Sequence, residues 1–183
     1  DSLVINGHTI EPWADLSGAI LANLESTYGD GATLIDANLT GANLTGANLS
    51  NSDGDRVNLS NANLTGAVLD GANLPDANLS NAILTNAKIS HTNLSNANLV
   101  GAELSGADLE YSDLSGSVLI GQDLTNARLF SANLSNADLS NAILTGAELG
   151  GVNLEGANLT GVILDASNFT QVNRSGNLSG QNV

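Results

Sequence analysis

The sequence has no cysteine and no methionine, only two prolines, and just four basic residues in 183 positions. Without cysteine it forms no disulfide and holds no metal through thiolates. Aromatic residues make up 3% of the chain, too few for the aromatic-rich core of a globular enzyme of this length. Arg56, Lys88, Arg128 and Arg174 stand against nineteen acids, giving a formal charge of -15 at pH 7. Such a surface lacks the cations that neutralise phosphates, so direct nucleic-acid binding is not expected. Apolar runs are only a few residues long, so no membrane-spanning helix is expected. Yet 42% of the residues are hydrophobic, more than a disordered chain carries. That apolar volume comes from Leu and Ala.

What is present is a period. Reading every fifth position from Leu34 to Arg174 gives 29 residues, of which 25 are Leu; the others are Gly54, Ile89, Phe169 and Arg174. Two residues before each of these, Ala occurs 19 times. Five matches neither the 3.6-residue turn of a helix nor the two-residue alternation of a flat strand, so the chain must turn at regular intervals. In Ala37-Asn38-Leu39-Thr40-Gly41, alternation puts Ala and Leu on one side and Asn on the other, and Thr-Gly makes a corner. Repeated, this coils the backbone around its own Leu side chains.

Ala42-Asn43-Leu44-Thr45-Gly46 and Ala107-Asp108-Leu109 resemble the units of the pentapeptide-repeat family over about residues 32 to 172. The resemblance implies an all-β fold, a right-handed quadrilateral parallel β-helix with four units per coil. The chain would form a solenoid of about seven to eight coils. It also implies that Leu is the central inward residue.

The ends and interruptions divide the chain. Residues 1–13, with Asn6-Gly7 between two β-prone segments, predict a capping hairpin closed by Pro12, with Trp13 over the first coil. The repeat is expected over 14–172. Because Leu21 is out of phase with Leu34, a loop is expected at about 22–31. A second irregularity, at about 51–57, has Gly54 in place of the central Leu; it is either an edge that stays in the coil or a looped unit. Its acids, Asp53 and Asp55, resemble half of a calcium loop. The distal Glu is missing, so a solvated turn is the reading. Arg174 at a core position ends the coil, leaving 173–183 as a polar tail.

With four units per coil, residues 20 apart share a face. The first face is the most acidic, with Asp53, Asp55, Asp76, Asp113 and Glu155. The second is nearly uncharged and carries a small apolar patch, Val100, Val118 and Ile120, suited to self-association. The third has a column of Thr45, Thr65, Thr85, Ser105, Thr125 and Thr145. The fourth departs most from the motif: Lys88, His91, Asp108, Glu110, Tyr111, Arg128, Phe130 and Glu148 form the candidate partner surface.

Catalytic chemistry has little material. His8 and His91 are far apart, Ser is abundant only as a corner residue, and no phosphate-binding loop follows a buried strand. No catalytic residue, metal or cofactor is therefore assigned. The expected function is a non-enzymatic structural or protein-protein interaction solenoid with an unidentified protein partner, as a monomer or weak homodimer. The alternative that the resemblance suggests is a DNA-mimicking protein that binds a type II topoisomerase such as gyrase. The leucine-based units resemble those of cyanobacterial members. The chain opens on Asp1 rather than Met, as after signal removal or trimming. With its acidity, its one Lys and its lack of Cys, this favours an extracytoplasmic site, whether periplasm, thylakoid lumen or secretion.

Overall fold

The computed structural model describes residues 3–5, 8–10, 14–20, 31–166 and 168. Strands β1 (Leu3–Ile5) and β2 (His8–Ile10) pair antiparallel, Leu3 opposite Ile10 and Ile5 opposite His8. The turn at Asn6-Gly7, Pro12, Trp13, most of the loop expected at 22–31 and the 173–183 tail lie outside the described residues.

From Thr33 onward the chain stacks on itself every 20 residues through parallel bridges, as in Thr33↔Asp53↔Asn73↔Asn93. Four five-residue units therefore make one coil. The second face shows the full height as eight stacked positions: Asp15, Asn38, Asn58, Asn78, Asn98, Val118, Asp138 and Asn158. Asp15 and Ile20 pair with Asn38 and Asn43, a spacing of 23 rather than 20. This accounts for the phase break between Leu21 and Leu34. Gly54 stays in the coil: its N–H donates to Asn73 O at 2.8 Å, and Asp53 bridges both Thr33 and Asn73. A Cβ on Gly54 would lie 2.7 Å from Leu74 Cδ2, so the neighbouring leucine already occupies the room that a residue-54 side chain would need.

Each unit follows from its residue types. The inward Leu and Ala are buried from Ala32 to Leu159 and half-buried at Leu16, Ala19 and Leu164, and removing each buried Leu side chain from water is worth about 1.5–3 kcal/mol. At the corner, the N–H of the next Ala donates to the carbonyl of the central residue, as in Ala62 N–Leu59 O at 3.0 Å. Every fifth residue from Gly31 to Gly161 has φ between 55° and 74°. An i to i+3 bond with positive φ at the third residue is a type II turn, which calls for Gly or Asn there. The outward Asn also works: Asn58 Oδ1 accepts the Ser60 N–H at 3.1 Å and Asn78 Nδ2 at 3.3 Å. It thus caps its own corner and ties one coil to the next.

The end of the repeat expected at 172 lies outside the described residues. Among the described residues the last bridge is Ile143↔Ile163, after which Asp165 and Asn168 bond each other's N–H groups through their side chains, at 3.2 and 2.8 Å. These reciprocal bonds favour a helical turn, at Ala166 and Asn168. Asn168, which the motif would point outward, is 0% exposed, and its Nδ2 donates to Ala147 O at 3.0 Å. An amide thus meets a carbonyl that another coil would otherwise have paired.

The ladder has one opening. Glu103 and Asp123 stack without a bridge, whereas every other 20-residue step from Thr33 to Ile163 has one. Among the described residues the N–H groups of Gly101, Leu104, Gly106 and Asp123 have none of the inter-coil bonds seen at equivalent positions. Two causes coincide. Like charges stand directly opposite, and Gln122, far longer than Ala, fills the inward position above Ala102. Gln122 is 2% exposed. Its Nε2 reaches back to Leu99 O, and its Oε1 has no partner among the described residues. Ala102 beside it is 6% exposed, against 0% for Ala82 one coil away. Gln122→Ala removes both the wedge and the orphan oxygen. We expect a gain of about 1 kcal/mol or more in stability and slower amide exchange at Leu104 and Gly106. Unchanged exchange would leave the carboxylate pair as the cause of the opening.

Candidate functional site

On the first face, Arg56 takes one of the two acids that resembled a calcium loop, Asp55, together with Asp36 from the coil below. Its Nε and Nη2 donate to the two Asp36 oxygens at 2.8 Å each, and Nη1 donates to Asp55. The Arg56 hydrogen bond holds the Asp36 carboxyl below the usual aspartate value, outweighing burial, which acts the other way. Asp53 accepts from Asn73 Nδ2 at 3.0 Å. Sequence reasoning on this face missed Asp36, one coil below its partner.

The fold brings all eight fourth-face residues together. Lys88, Asp108, Arg128 and Glu148 are successive bridge partners, so charges of alternating sign climb one column. Arg128 holds this column: Nη1 donates to Asp108 at 2.7 Å, Nη2 to Glu110, and Nε lies 3.8 Å from Glu148. These pairs are half-exposed, so each is worth about 1 kcal/mol or less. Lys88 is exposed and has no ion-pair partner among the described residues. It also replaces the outward Asn that normally accepts the corner N–H. Asp70, one coil below, supplies that acceptor instead, its Oδ1 3.0 Å from Ser90 N.

Beside the column runs an aromatic cluster. The His91 and Tyr111 rings stack with centroids 4.9 Å apart and planes within 3°, and Phe130 meets Tyr111 edge-on at 5.7 Å and 77°. The stacking distance equals the strand spacing of about 4.7–4.9 Å, so each ring follows its own coil. Tyr111 and Phe130 are 49% and 42% exposed. Gly150, which sequence reasoning missed, gives Phe130 its place: a Cβ there would lie 2.9 Å from Phe130 Cδ2. The signal in the sequence is Gly150-Gly151, where the motif usually has Ser or Thr before the corner Gly or Asn.

His91 and Tyr111 occupy corners with φ of 56° and 58°. Of the fourteen non-glycine residues at such angles, all but Arg56, His91, Tyr111 and Ser131 are Asn or Asp. For Tyr111 this conformation is strained by about 1–3 kcal/mol, whereas His, like Asn and Asp, adopts it more readily. Stacking between the rings returns about 0.5–1.5 kcal/mol per pair. The cluster therefore roughly breaks even, where Asn or Gly would turn the corner without strain.

On the second face, Val100 and Ile120 are exposed and Val118 is half-buried. They sit together at the corner where the Glu103/Asp123 opening begins. Among the described residues there is no group of three or more potential metal ligands, and no helix is long and apolar enough to cross a membrane.

The sequence profile described as Pentapeptide repeats matches in 8 copies, over residues 13–51, 32–71, 62–101, 102–129 and 132–171. Among solved structures the chain is similar to HetL, a pentapeptide repeat protein involved in heterocyst differentiation regulation from the cyanobacterium Nostoc sp. strain PCC 7120. The TM-score is 0.78 and the identity 36%, covering 82% of this chain and 68% of HetL. QnrB1, a plasmid-mediated fluoroquinolone resistance protein, aligns at TM-score 0.35 and 19% identity over 90% of this chain and 97% of its own. A pentapeptide repeat protein from the Arabidopsis thaliana thylakoid lumen aligns at 0.32 and 25%, over 71% and 76%. These last two superpose too loosely to bear on this chain. No curated protein matches it.

Proposed function

The chain belongs to the pentapeptide-repeat family, and from that premise we propose that it is a non-enzymatic right-handed β-helical rod that binds a partner protein through its fourth face. The observation that carries this reading is the strain at Tyr111, whose ring stacks on His91 and meets Phe130. Stability does not require bulky rings at left-handed corners, and exposed aromatics beside a fixed Arg are what protein interfaces enrich. HetL, similar over most of this chain, is involved in regulating differentiation, and a regulatory binding role suits this rod. The DNA-mimic alternative has less support. The acids concentrate on the first and fourth faces, while the second carries only Asp15 and Asp138 along its stack. An extracytoplasmic site stays part of the proposal on composition alone.

The test is capture of partners from the source organism's extract on the immobilised full chain. Tyr111→Asn combined with Phe130→Ser is expected to weaken capture of a specific protein about 30-fold or more, as loss of an interface hot spot would. Its melting temperature should not fall appreciably, because relief of the strain at residue 111 offsets the stacking that the rings no longer provide. Glu155→Gln on the first face is the control. Equal capture by all three proteins would overturn the fourth-face reading.

A further inference from the structure

The charge column of the fourth face reads the same in reverse with its signs exchanged. Lys88, Asp108, Arg128 and Glu148 are successive bridge partners, so they rise up the rod in equal steps of about 4.8 Å, positive, negative, positive, negative. The midpoint lies between Asp108 and Arg128. A second copy turned end for end about that midpoint, fourth face to fourth face, sets its Arg128 opposite Asp108 and its Glu148 opposite Lys88. Two-fold symmetry supplies the reverse pairs as well. Every charge of the column then meets one of opposite sign.

Other arrangements of two copies lose this match. Rods pointing the same way about a two-fold axis set Lys88 on Lys88 and Asp108 on Asp108, and like charges across an interface repel. Sliding the reversed copy by one coil puts Asp108 on Asp108 or Arg128 on Arg128. Charge therefore fixes both the direction and the register. The single chain leaves the outer pair free to form: Lys88 is exposed with no ion-pair partner among the described residues, and Glu148 is 57% exposed, with only Arg128 Nε near it at 3.8 Å. The rings follow the same geometry. The two-fold axis runs along the strands, so each corner column stays on its own side, and Phe130 of the second copy comes level with the coil of Tyr111. The half-exposed Tyr111 and Phe130 rings of both copies thus gather in one apolar strip beside the charges.

We propose that the partner on the fourth face is a second copy of this chain, bound antiparallel with Asp108 and Arg128 at the two-fold axis. This rests on the fourth face being the partner surface, and it adds what binds there and in which register. The overlap covers about four coils, which places the pair among weak, reversible complexes.

The test is sedimentation equilibrium of the full chain over a concentration series reaching the millimolar range. The chain should dimerise reversibly. Lys88→Glu sets two carboxylates against each other at each end of the overlap, and Glu148→Lys sets two ammonium groups there, so each variant alone should dimerise at least about ten-fold more weakly. An equimolar mixture of the two should recover the dimer, because each variant then meets its opposite sign in the other. Recovery on mixing also shows that both variants are folded. Ile120→Ser, in the apolar patch of the second face, should leave the dimer intact. A chain that stays monomeric, a dimer indifferent to both charge variants, no recovery on mixing, or a dimer lost with Ile120→Ser would each overturn the proposal. A monomeric chain whose capture of a different protein is lost with Tyr111→Asn and Phe130→Ser would overturn the dimer but uphold the face.

Discussion

Leu84→Asp is expected to abolish the native fold or to lower the melting temperature by tens of degrees. Leu84 is 1% exposed in the centre of the stack, and its coil is bonded on both sides, Leu84 N to Glu103 O at 2.8 Å and Ile83 N to Ala62 O at 2.9 Å. The change removes the transfer energy of one leucine, about 1.5–3 kcal/mol. It also puts a carboxylate where no donor or cation reaches, an added penalty of several kcal/mol. Together these approach the whole stability of an ordinary domain, about 5–15 kcal/mol. In a solenoid each coil rests only on its neighbours, so the coils through Leu64 and Leu104 lose support as well. Thr85→Ala, one residue away on the outside of the corner, should change stability by no more than about 0.5 kcal/mol. Thermal melts followed by circular dichroism compare the two, and equal melting would overturn the inward assignment.

Gly116→Val should cost about 3 kcal/mol or more. Gly116 has φ of +67°, and a Cβ there would lie 2.5 Å from Asn96 Oδ1 of the coil below. A branched residue at that angle is strained by roughly 1–3 kcal/mol. Displacing Asn96 adds overpacking of about 1–3 kcal/mol and threatens the corner bond from Asn96 N to Ser115 O at 2.8 Å. Gly66→Asn is the contrast. Its φ is +64° and nothing lies within 4 Å of the would-be Cβ, so Asn should be neutral or slightly stabilising by restricting the unfolded chain. Denaturant melts of both variants separate corner geometry from a general intolerance of substitution at glycine.

Much of the fold was legible because the motif is redundant. Any stretch such as Ala37 to Gly41 states which residues point inward, and dozens of repetitions leave one arrangement of Leu and Ala that buries them all. The interruptions were less legible, because they depend on neighbours 20 residues away. Gly54 is harmless only because Leu74 already fills the space beside it. At the last described bridge Asp165 and Asn168 bond each other, a local pairing that competes with the repeat. For the candidate site, the departures from the motif named Lys88, His91, Tyr111, Arg128 and Phe130. They did not reveal that Arg128 ties Asp108 and Glu110, nor that Gly150 makes room for Phe130, since both depend on side chains meeting across coils.

The sequence by itself determined the period, the inward leucines, the four faces and the surplus of negative charge, all of which follow from residue type and spacing along one strand of chain. Only the tertiary structure decided how the faces work. Stacking at the strand spacing placed His91 and Tyr111 ring on ring. The same stacking set Glu103 against Asp123 and opened the ladder. The physical reason is common to both: inward positions answer to burial, which composition reveals, whereas outward positions answer to the particular side chain one coil away.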